Sequence, residues 1–168
     1  SYAIALRNYN RILHLQPLKE DRLLLQCQAG VTLSDIKAFL ENPIAWPYPV
    51  PGLDLLEISS GSPPQKRAWI YPPDPTELSA QLGGTVATNA KGARSFFYGP
   101  TRNHIKQLSL ILADGSTLAL KRGLNPIIDH EFKVQKGNGE SLILPEPSYQ
   151  CPLIKNSCGY FSQPGMDI

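Results

Sequence analysis

The sequence has few cysteines and almost no net charge, and each shortage excludes a class of protein. Its three cysteines, Cys27, Cys151 and Cys158, are odd in number and form no CxxC pair, so neither a disulfide framework nor a zinc site is predicted. A formal charge of +2 on 168 residues is too small to indicate a nucleic-acid partner or an anionic membrane. We therefore expect a reducing, cytoplasmic location, with Cys27 as a small buried side chain in an apolar alternating run.

Long apolar segments and a secretory start are also lacking. No stretch approaches the roughly 18 apolar residues of a transmembrane helix, and the N-terminal residues show no basic segment followed by an apolar one. His14, His104 and His130 are isolated along the chain, so we assign them no catalytic or metal-binding role. The 42% of apolar residues are enough for an ordinary domain with a real core.

What the sequence does contain is a dense series of turn-forming and small residues between positions 71 and 101. In Tyr71-Pro-Pro-Asp-Pro-Thr76, three prolines remove backbone donors and restrict φ, which predicts a rigid, extended segment. Gly83-Gly84 then allows a closer approach to the main chain than residues with a Cβ permit. The series predicts a surface for an extended anionic ligand, although the Gly-Gly pair taken alone is better explained as a turn before a close-packed helix.

Four segments of the chain, in order, resemble one known family. They are PPDPTE, QLGGTVATNAKGARSFFYGPTRNHI, LILADGSTL and IKNSCGYF, and they resemble the FAD-binding domain of FAD-linked oxidases of the glycolate oxidase and D-lactate dehydrogenase type, within the vanillyl-alcohol oxidase-like superfamily. The run from Leu25 to Leu40 is similar to the strand and helix that precede the PPDP segment there. Two positions depart from the family pattern: Asn103 stands where an acidic residue is usual, and Cys158 where a small residue is common.

The resemblance implies FAD as the cofactor and a set of residues that contact it. No catalytic residue and no metal ligand is implied within this chain. The expected flavin or pyrophosphate contacts are Pro73, Asp74, Pro75, Thr76, Gly83, Gly84, Thr85, Ala87, Thr88 and Asn89, flanked by Gly92, Ala93, Arg94, Tyr98 and Gly99. Among these, the N–H groups around Gly83 and Gly84 are expected to hold the pyrophosphate, and Thr88 and Asn89 to orient polar atoms of the flavin or ribityl chain.

The resemblance also implies that residues 1–168 are a partial FAD-binding domain, the second subdomain of a PCMH-type FAD-binding fold. Its upstream pyrophosphate-loop subdomain and its downstream substrate domain would then lie outside the sequence. We expect the isolated chain to be inactive and to bind FAD weakly, because half of a cofactor site leaves the ordering cost of the ligand in place. A hydroxy-acid substrate would bind through the missing domain, and the sequence indicates no electron acceptor.

The periodicity of the first half predicts two strands and a helix. Strands are predicted at Arg11–Leu15 and Arg22–Ala29, where apolar residues alternate with polar ones. A helix capped by Thr32 or Ser34 is predicted to run to about Glu41 and to end at Pro43. Residues 43–70, rich in proline and containing Trp46 and Trp69, are predicted to be an insertion.

The second half predicts a helical segment followed by hairpins. A short helix is expected at Thr76–Leu82, with a glycine-led successor at Gly83–Asn89, and a strand at His104–Leu112. Asp114-Gly115 predicts a hairpin turn into Thr117–Lys121. Residues 123–150 are predicted to be either a hairpin excursion or a mobile loop. The fold class that follows is α+β, with a mainly antiparallel sheet covered by two or three helices.

The functional hypothesis is a flavin-dependent oxidoreductase that oxidises a 2-hydroxy acid or a related alcohol, to which this chain supplies part of the FAD site. One alternative is a nucleotide-binding or protein-interaction module without redox chemistry, for which the segment with Trp46 and Trp69 would be the surface. Another is the similarly folded reductase of peptidoglycan precursor synthesis, against which the PPDP segment argues.

Overall fold

The described strands form antiparallel hairpins, each of them a separate two-stranded sheet. The computed structural model describes residues 4–18, 22–54, 69–74, 76–149, 152, 161–163 and 166–167. The chain divides into two units, residues 1–98 and 99–168. The antiparallel strands and the few helices fit the α+β class, but the prediction of one mainly antiparallel sheet is wrong for the described residues, because their six strands pair two by two.

The first hairpin consists of β1 (Ile12–Leu18) and β2 (Arg22–Cys27). The register shifts between Ile12 and His14, so β1 carries one extra residue there. This bulge places Ile12 and Leu15, three residues apart, in the same core. The strand predicted at Arg11–Leu15 thus continues to Leu18, past Pro17, which a two-stranded edge tolerates.

Helix α1 (Leu33–Glu41) begins with a capping box at Thr32, one of the two caps that the sequence predicts. The hydroxyl Oγ1 of Thr32 accepts a hydrogen bond from the backbone N–H of Asp35 (3.1 Å), and the Asp35 carboxylate accepts one from the backbone N–H of Thr32 (3.0 Å). The helix ends at Glu41, and a 3-10 turn follows at Pro43–Ala45. Two orphan donors at the helix start are thereby satisfied.

The core of the first unit lies between this helix and the first hairpin. Leu15, Val31 and Phe39 are fully buried, and both tryptophans, Trp46 and Trp69, pack against the same cluster. The Trp46 ring meets Phe39 edge to face at 5.6 Å between centroids. The tryptophans therefore contribute to a core, rather than forming the interaction surface that one alternative hypothesis requires. Residues 55–68 of the predicted insertion, including Lys66 and Arg67, lie outside the described residues.

Two short helices complete the first unit, α2 (Leu82–Ala87) and α3 (Ser95–Tyr98). The helix predicted at Thr76–Leu82 is wrong, because residues 76–81 form turns and an isolated bridge between Gln81 and Thr32. Their backbone is occupied in pairing with residues 29–34, and the helix begins only at Leu82.

The second unit contains two hairpins. The first pairs β3 (Gln107–Ile111) with β4 (Thr117–Lys121), and the predicted Asp114-Gly115 turn is confirmed, with Gly115 at a φ of 82°. The strand expected from His104 starts later, because Thr101–His104 is a 3-10 helix. In residues 123–150, the hairpin alternative is the correct one, since β5 (Glu131–Gln135) pairs with β6 (Ser141–Pro145).

A small core and an ion-pair cluster hold the hairpins of this unit together. Leu118, Leu120 and Val134 are buried in one cluster. The ammonium of Lys136 lies 2.8 Å from Asp114 Oδ2 and 3.3 Å from a Glu140 carboxylate oxygen. The hydrogen bond from Lys136 holds the pKa of Asp114 well below its usual range, and Asp114 in turn raises the pKa of Lys136.

Among the described residues, no helix has both the length and the apolar character needed to cross a membrane.

Candidate functional site

The segment that leads into α2 is fixed by pairing with the segment that leads into α1. Residues 78–83 run antiparallel to residues 29–34, and their backbone hydrogen bonds are 2.7 to 3.0 Å long. This pairing sets where α2 starts and which of its backbone groups remain open. The bonds run from Ser34 N to Leu78 O, from Leu33 N to Ala80 O, from Leu82 N to Val31 O and from Gly83 N to Ala29 O.

The two adjacent glycines have different surroundings. A Cβ on Gly83 would lie 2.8 Å from the Cβ of Ala29, and the Gly83 N–H donates to the Ala29 carbonyl at 2.8 Å. A Cβ on Gly84 would meet no heavy atom within 4 Å. In this structure Gly83 is therefore a packing residue whose N–H is already bonded to Ala29, and its expected contact with a pyrophosphate stays a prediction. Gly84 retains the open backbone that a ligand needs.

The two threonines in and after α2 also differ, one being buried and the other exposed. Thr85 is buried, and its hydroxyl donates to the Leu82 carbonyl at 2.8 Å. Thr88 is exposed, and its hydroxyl donates to the Gly84 carbonyl at 2.9 Å, which leaves its oxygen lone pairs to accept. Asn89 ends the helix with a φ of 46°, a conformation that asparagine tolerates better than most residues. Ala87 is exposed beside them.

The proline-rich segment and the second glycine motif meet at their backbones. Residues 71–74 form a turn closed by a hydrogen bond from Asp74 N to Tyr71 O (3.2 Å). A Cβ on Gly92 would lie 2.4 Å from the Pro73 carbonyl oxygen, so only glycine permits this approach. Asp74 has a φ of 41°, a left-handed conformation that non-glycine residues adopt mainly where the surrounding structure imposes it.

A hydroxyl and an ion pair reinforce the same contact. The buried Ser95 hydroxyl accepts a hydrogen bond from Gly92 N (2.7 Å) and lies 3.5 Å from the Pro73 carbonyl oxygen as a donor. Arg94 Nε lies 3.1 Å from Asp74 Oδ2, with both side chains about half-exposed. The structure thus brings together four expected site residues, Pro73, Asp74, Gly92 and Arg94.

Ser95 was missed by reasoning from the sequence. A serine that follows arginine has no distinguishing spacing, and its importance lies in a contact with a residue 22 positions earlier. The remaining expected residues are exposed or peripheral. Thr76 and Ala93 are exposed, Tyr98 packs edge to face on Phe97, and Gly99, with a φ of 85°, lies at the start of the second unit. Pro75, Cys151 and Cys158 lie outside the described residues.

Known proteins resemble the chain, and the family match falls on this same region. Residues 64–121 match the family model of an FAD binding domain. The chain is 30% identical over 117 residues to a D-lactate dehydrogenase of Anaerostipes hadrus, a match that covers 70% of this chain and 19% of that protein. It is 31% identical over 96 residues to the mitochondrial D-2-hydroxyglutarate dehydrogenase of Rattus norvegicus, covering 56% of this chain and 14% of that protein.

A third match is shorter and has a higher identity than these two. Over 45 residues, the chain is 47% identical to a D-lactate dehydrogenase of Archaeoglobus fulgidus, which is 27% of this chain and 10% of that protein. Together these matches support assignment of the chain to the FAD-linked oxidase family. The cofactor that the matched family indicates is FAD. The matched segments span at most about a fifth of the length of these relatives. No solved structure gives a significant match.

The described residues fit FAD at two places. The open backbone of Gly84 accommodates close approach of a ligand. Arg94 contacts Asp74 through Nε, and no described residue accepts a hydrogen bond from its two terminal nitrogens. A guanidinium carries five N–H donors in a planar fork, so Arg94 retains the donors that bind a phosphate oxygen pair.

Proposed function

We propose that this chain supplies part of the FAD site of a flavin-dependent oxidoreductase that oxidises a 2-hydroxy acid or a related alcohol. The observation that carries the proposal is the close approach of Gly92 to Pro73, which places Arg94 on Asp74 in the region that matches the FAD-binding family. The named relatives act on D-lactate and D-2-hydroxyglutarate, and both are 2-hydroxy acids. That shared chemistry favours the substrate class.

Within the proposed site, the protein groups bind and orient. Gly84 provides close backbone approach, Thr88 provides hydroxyl lone pairs, and Arg94 provides positive charge. Asp74 fixes the arginine, because its carboxylate engages Nε. The hydride chemistry is supplied by FAD when it is bound. The proposed domain assignment is the second subdomain of a PCMH-type FAD-binding fold, with the substrate contacts made by residues outside this chain.

The test uses the full-length protein that carries this chain. It should purify with the visible absorbance of bound oxidised flavin, and the colour should fade under anaerobic conditions when D-lactate, glycolate or D-2-hydroxyglutarate is added. L-lactate is the matched control, since it differs from D-lactate only in configuration. A protein that is colourless and takes up no added FAD would contradict the proposal. A yellow protein that no hydroxy acid reduces would contradict its substrate class alone.

The interaction-module alternative relied on the proline-rich segment 43–70 with Trp46 and Trp69 as its surface. Both tryptophans are partly buried against the core of the first unit, which disfavours that use of them.

A further inference from the structure

Ser95 occupies the centre of the contact between the two turns that carry Asp74 and Arg94. Ser95 is buried, with only 8% of its surface exposed. Its oxygen accepts a hydrogen bond from Gly92 N at 2.7 Å, and the hydroxyl donates to the Pro73 carbonyl, with 3.5 Å between the two oxygens. The hydroxyl thus joins residue 92 of one turn to residue 73 of the other. Asp74 and Arg94 are the immediate neighbours of Pro73 and Ser95 along the chain.

This arrangement matters because the ion pair itself is weak. Asp74 and Arg94 are both about half-exposed, and exposed pairs hold their geometry poorly in water. Asp74 also has a left-handed φ of 41°, a conformation that is unfavourable for aspartate unless the surrounding structure supports it. The buried hydroxyl and the missing Cβ of Gly92 supply the constraint that the ion pair lacks.

We propose that Ser95 is a positioning residue of the FAD site: its hydroxyl holds the two turns together, and thereby keeps Arg94 on Asp74 with its terminal nitrogens available to the diphosphate of the cofactor. The inference rests on the proposed function and deepens it. The ligand chemistry is a diphosphate, because a guanidinium anchored through Nε offers its remaining donors as a fork that matches paired anionic oxygens.

The test compares FAD with riboflavin, which has the same ring system without the diphosphate. Dissociation constants for both are measured by flavin fluorescence on the full-length protein stripped of cofactor. Ser95→Ala should weaken FAD binding about tenfold, the effect of losing the one hydrogen bond that Arg94 would donate to the charged diphosphate, and leave riboflavin binding unchanged. Arg94→Gln should have the same effect. The double variant should bind FAD no more weakly than Arg94→Gln alone, since both changes remove the same interaction.

Control variants separate positioning from general damage. Ser95→Thr keeps the hydroxyl and should retain FAD affinity, whereas Arg7→Gln removes an exposed positive charge elsewhere in the first unit and should behave as wild type. Equal losses for FAD and riboflavin in Ser95→Ala would overturn the inference, because they would indicate a structural role only. So would an unchanged riboflavin-to-FAD affinity ratio in Arg94→Gln, a half-exposed site where folding is not at risk. Wild-type protein that binds neither compound would instead overturn the proposed function itself.

Discussion

Gly83 and Gly84 are neighbours with opposite surroundings, and separate substitutions test the difference. In the unliganded protein, Gly83→Ala should lower the free energy of unfolding by about 1–3 kcal/mol, because its Cβ would overlap Ala29. Gly84→Ala should raise it by about 0.5 kcal/mol, since alanine is the better helix residue and the space is open. Urea denaturation of the two variants measures both signs. Equal destabilisation by both would contradict the structure.

Cys27 gives a prediction for alkaline pH. It packs against the first core, and burial raises the pKa of its thiol from 9.0 to about 12. Between these two pKa values the folded state keeps the proton that the unfolded state releases. The free energy of unfolding is therefore unaffected by this thiol below about pH 9 and falls as the pH rises toward 12. Cys27→Ala should remove this part of the pH dependence of unfolding. Identical pH profiles for variant and wild type would contradict it.

At the scale of elements, α1 is the clearest case in which sequence and structure agree. Thr32, Asp35 and Pro43 define its ends through local chemistry, so neighbouring residues alone are enough to predict them. The segment before α2 shows the opposite. Residues 76–81 have a helical composition, yet the carbonyls of Leu78 and Ala80 accept hydrogen bonds from residues 33–34, far earlier in the chain. Periodicity within one segment carries no information about such a partner.

The capping box of α1 supports a direct stability test. Thr32→Ala removes the hydroxyl that accepts from Asp35 N and should lower the free energy of unfolding by about 1 kcal/mol. Thr32→Ser keeps the hydroxyl and is the matched control. Chemical denaturation followed by circular dichroism measures both. If the serine variant loses as much stability as the alanine variant, the hydroxyl is not what stabilises the helix start.

The turn before β5 places two non-glycine residues in the left-handed conformation. Asp129 and His130 have φ values of 53° and 62°, and the turn is closed by reciprocal hydrogen bonds between Ile128 and Glu131 (3.0 and 2.9 Å). Such turns favour glycine at the second position. Among the described contacts, the His130 side chain pairs with Glu146 at 2.7 Å, an interaction that replacement by either glycine or alanine removes.

The comparison of His130→Gly with His130→Ala therefore isolates the backbone. The glycine variant should be more stable than the alanine variant by about 1 kcal/mol, because a left-handed backbone conformation is unfavourable for alanine but not for glycine. Thermal unfolding of the two proteins under the same buffer gives the difference. Alanine equal to or better than glycine would indicate that the turn does not adopt these φ values in solution.

At the scale of the whole molecule, the family resemblance and its cofactor could be recognised from the sequence, whereas the contacts among the expected site residues could not. The motifs around Pro73, Gly84 and Arg94 could be recognised in the sequence because they consist of distinctive residue types, namely proline, glycine and arginine. The assignment of Gly83 to packing and of Ser95 to the junction of two turns was not visible. Both depend on which distant backbone atom lies within a few ångströms, at Ala29 and at Pro73.

Binding of FAD should reverse the stability order that the Gly84 substitution creates. Without ligand, Gly84→Ala should melt above wild type. With free FAD at 100 times its dissociation constant, wild type should gain about 2.7 kcal/mol, whereas a variant that binds tenfold more weakly gains about 1.4 kcal/mol less. That deficit exceeds the helical gain of about 0.5 kcal/mol, so the melting curves of full-length wild type and variant should cross as FAD is titrated. Parallel curves would mean that the open face of Gly84 does not contact the cofactor.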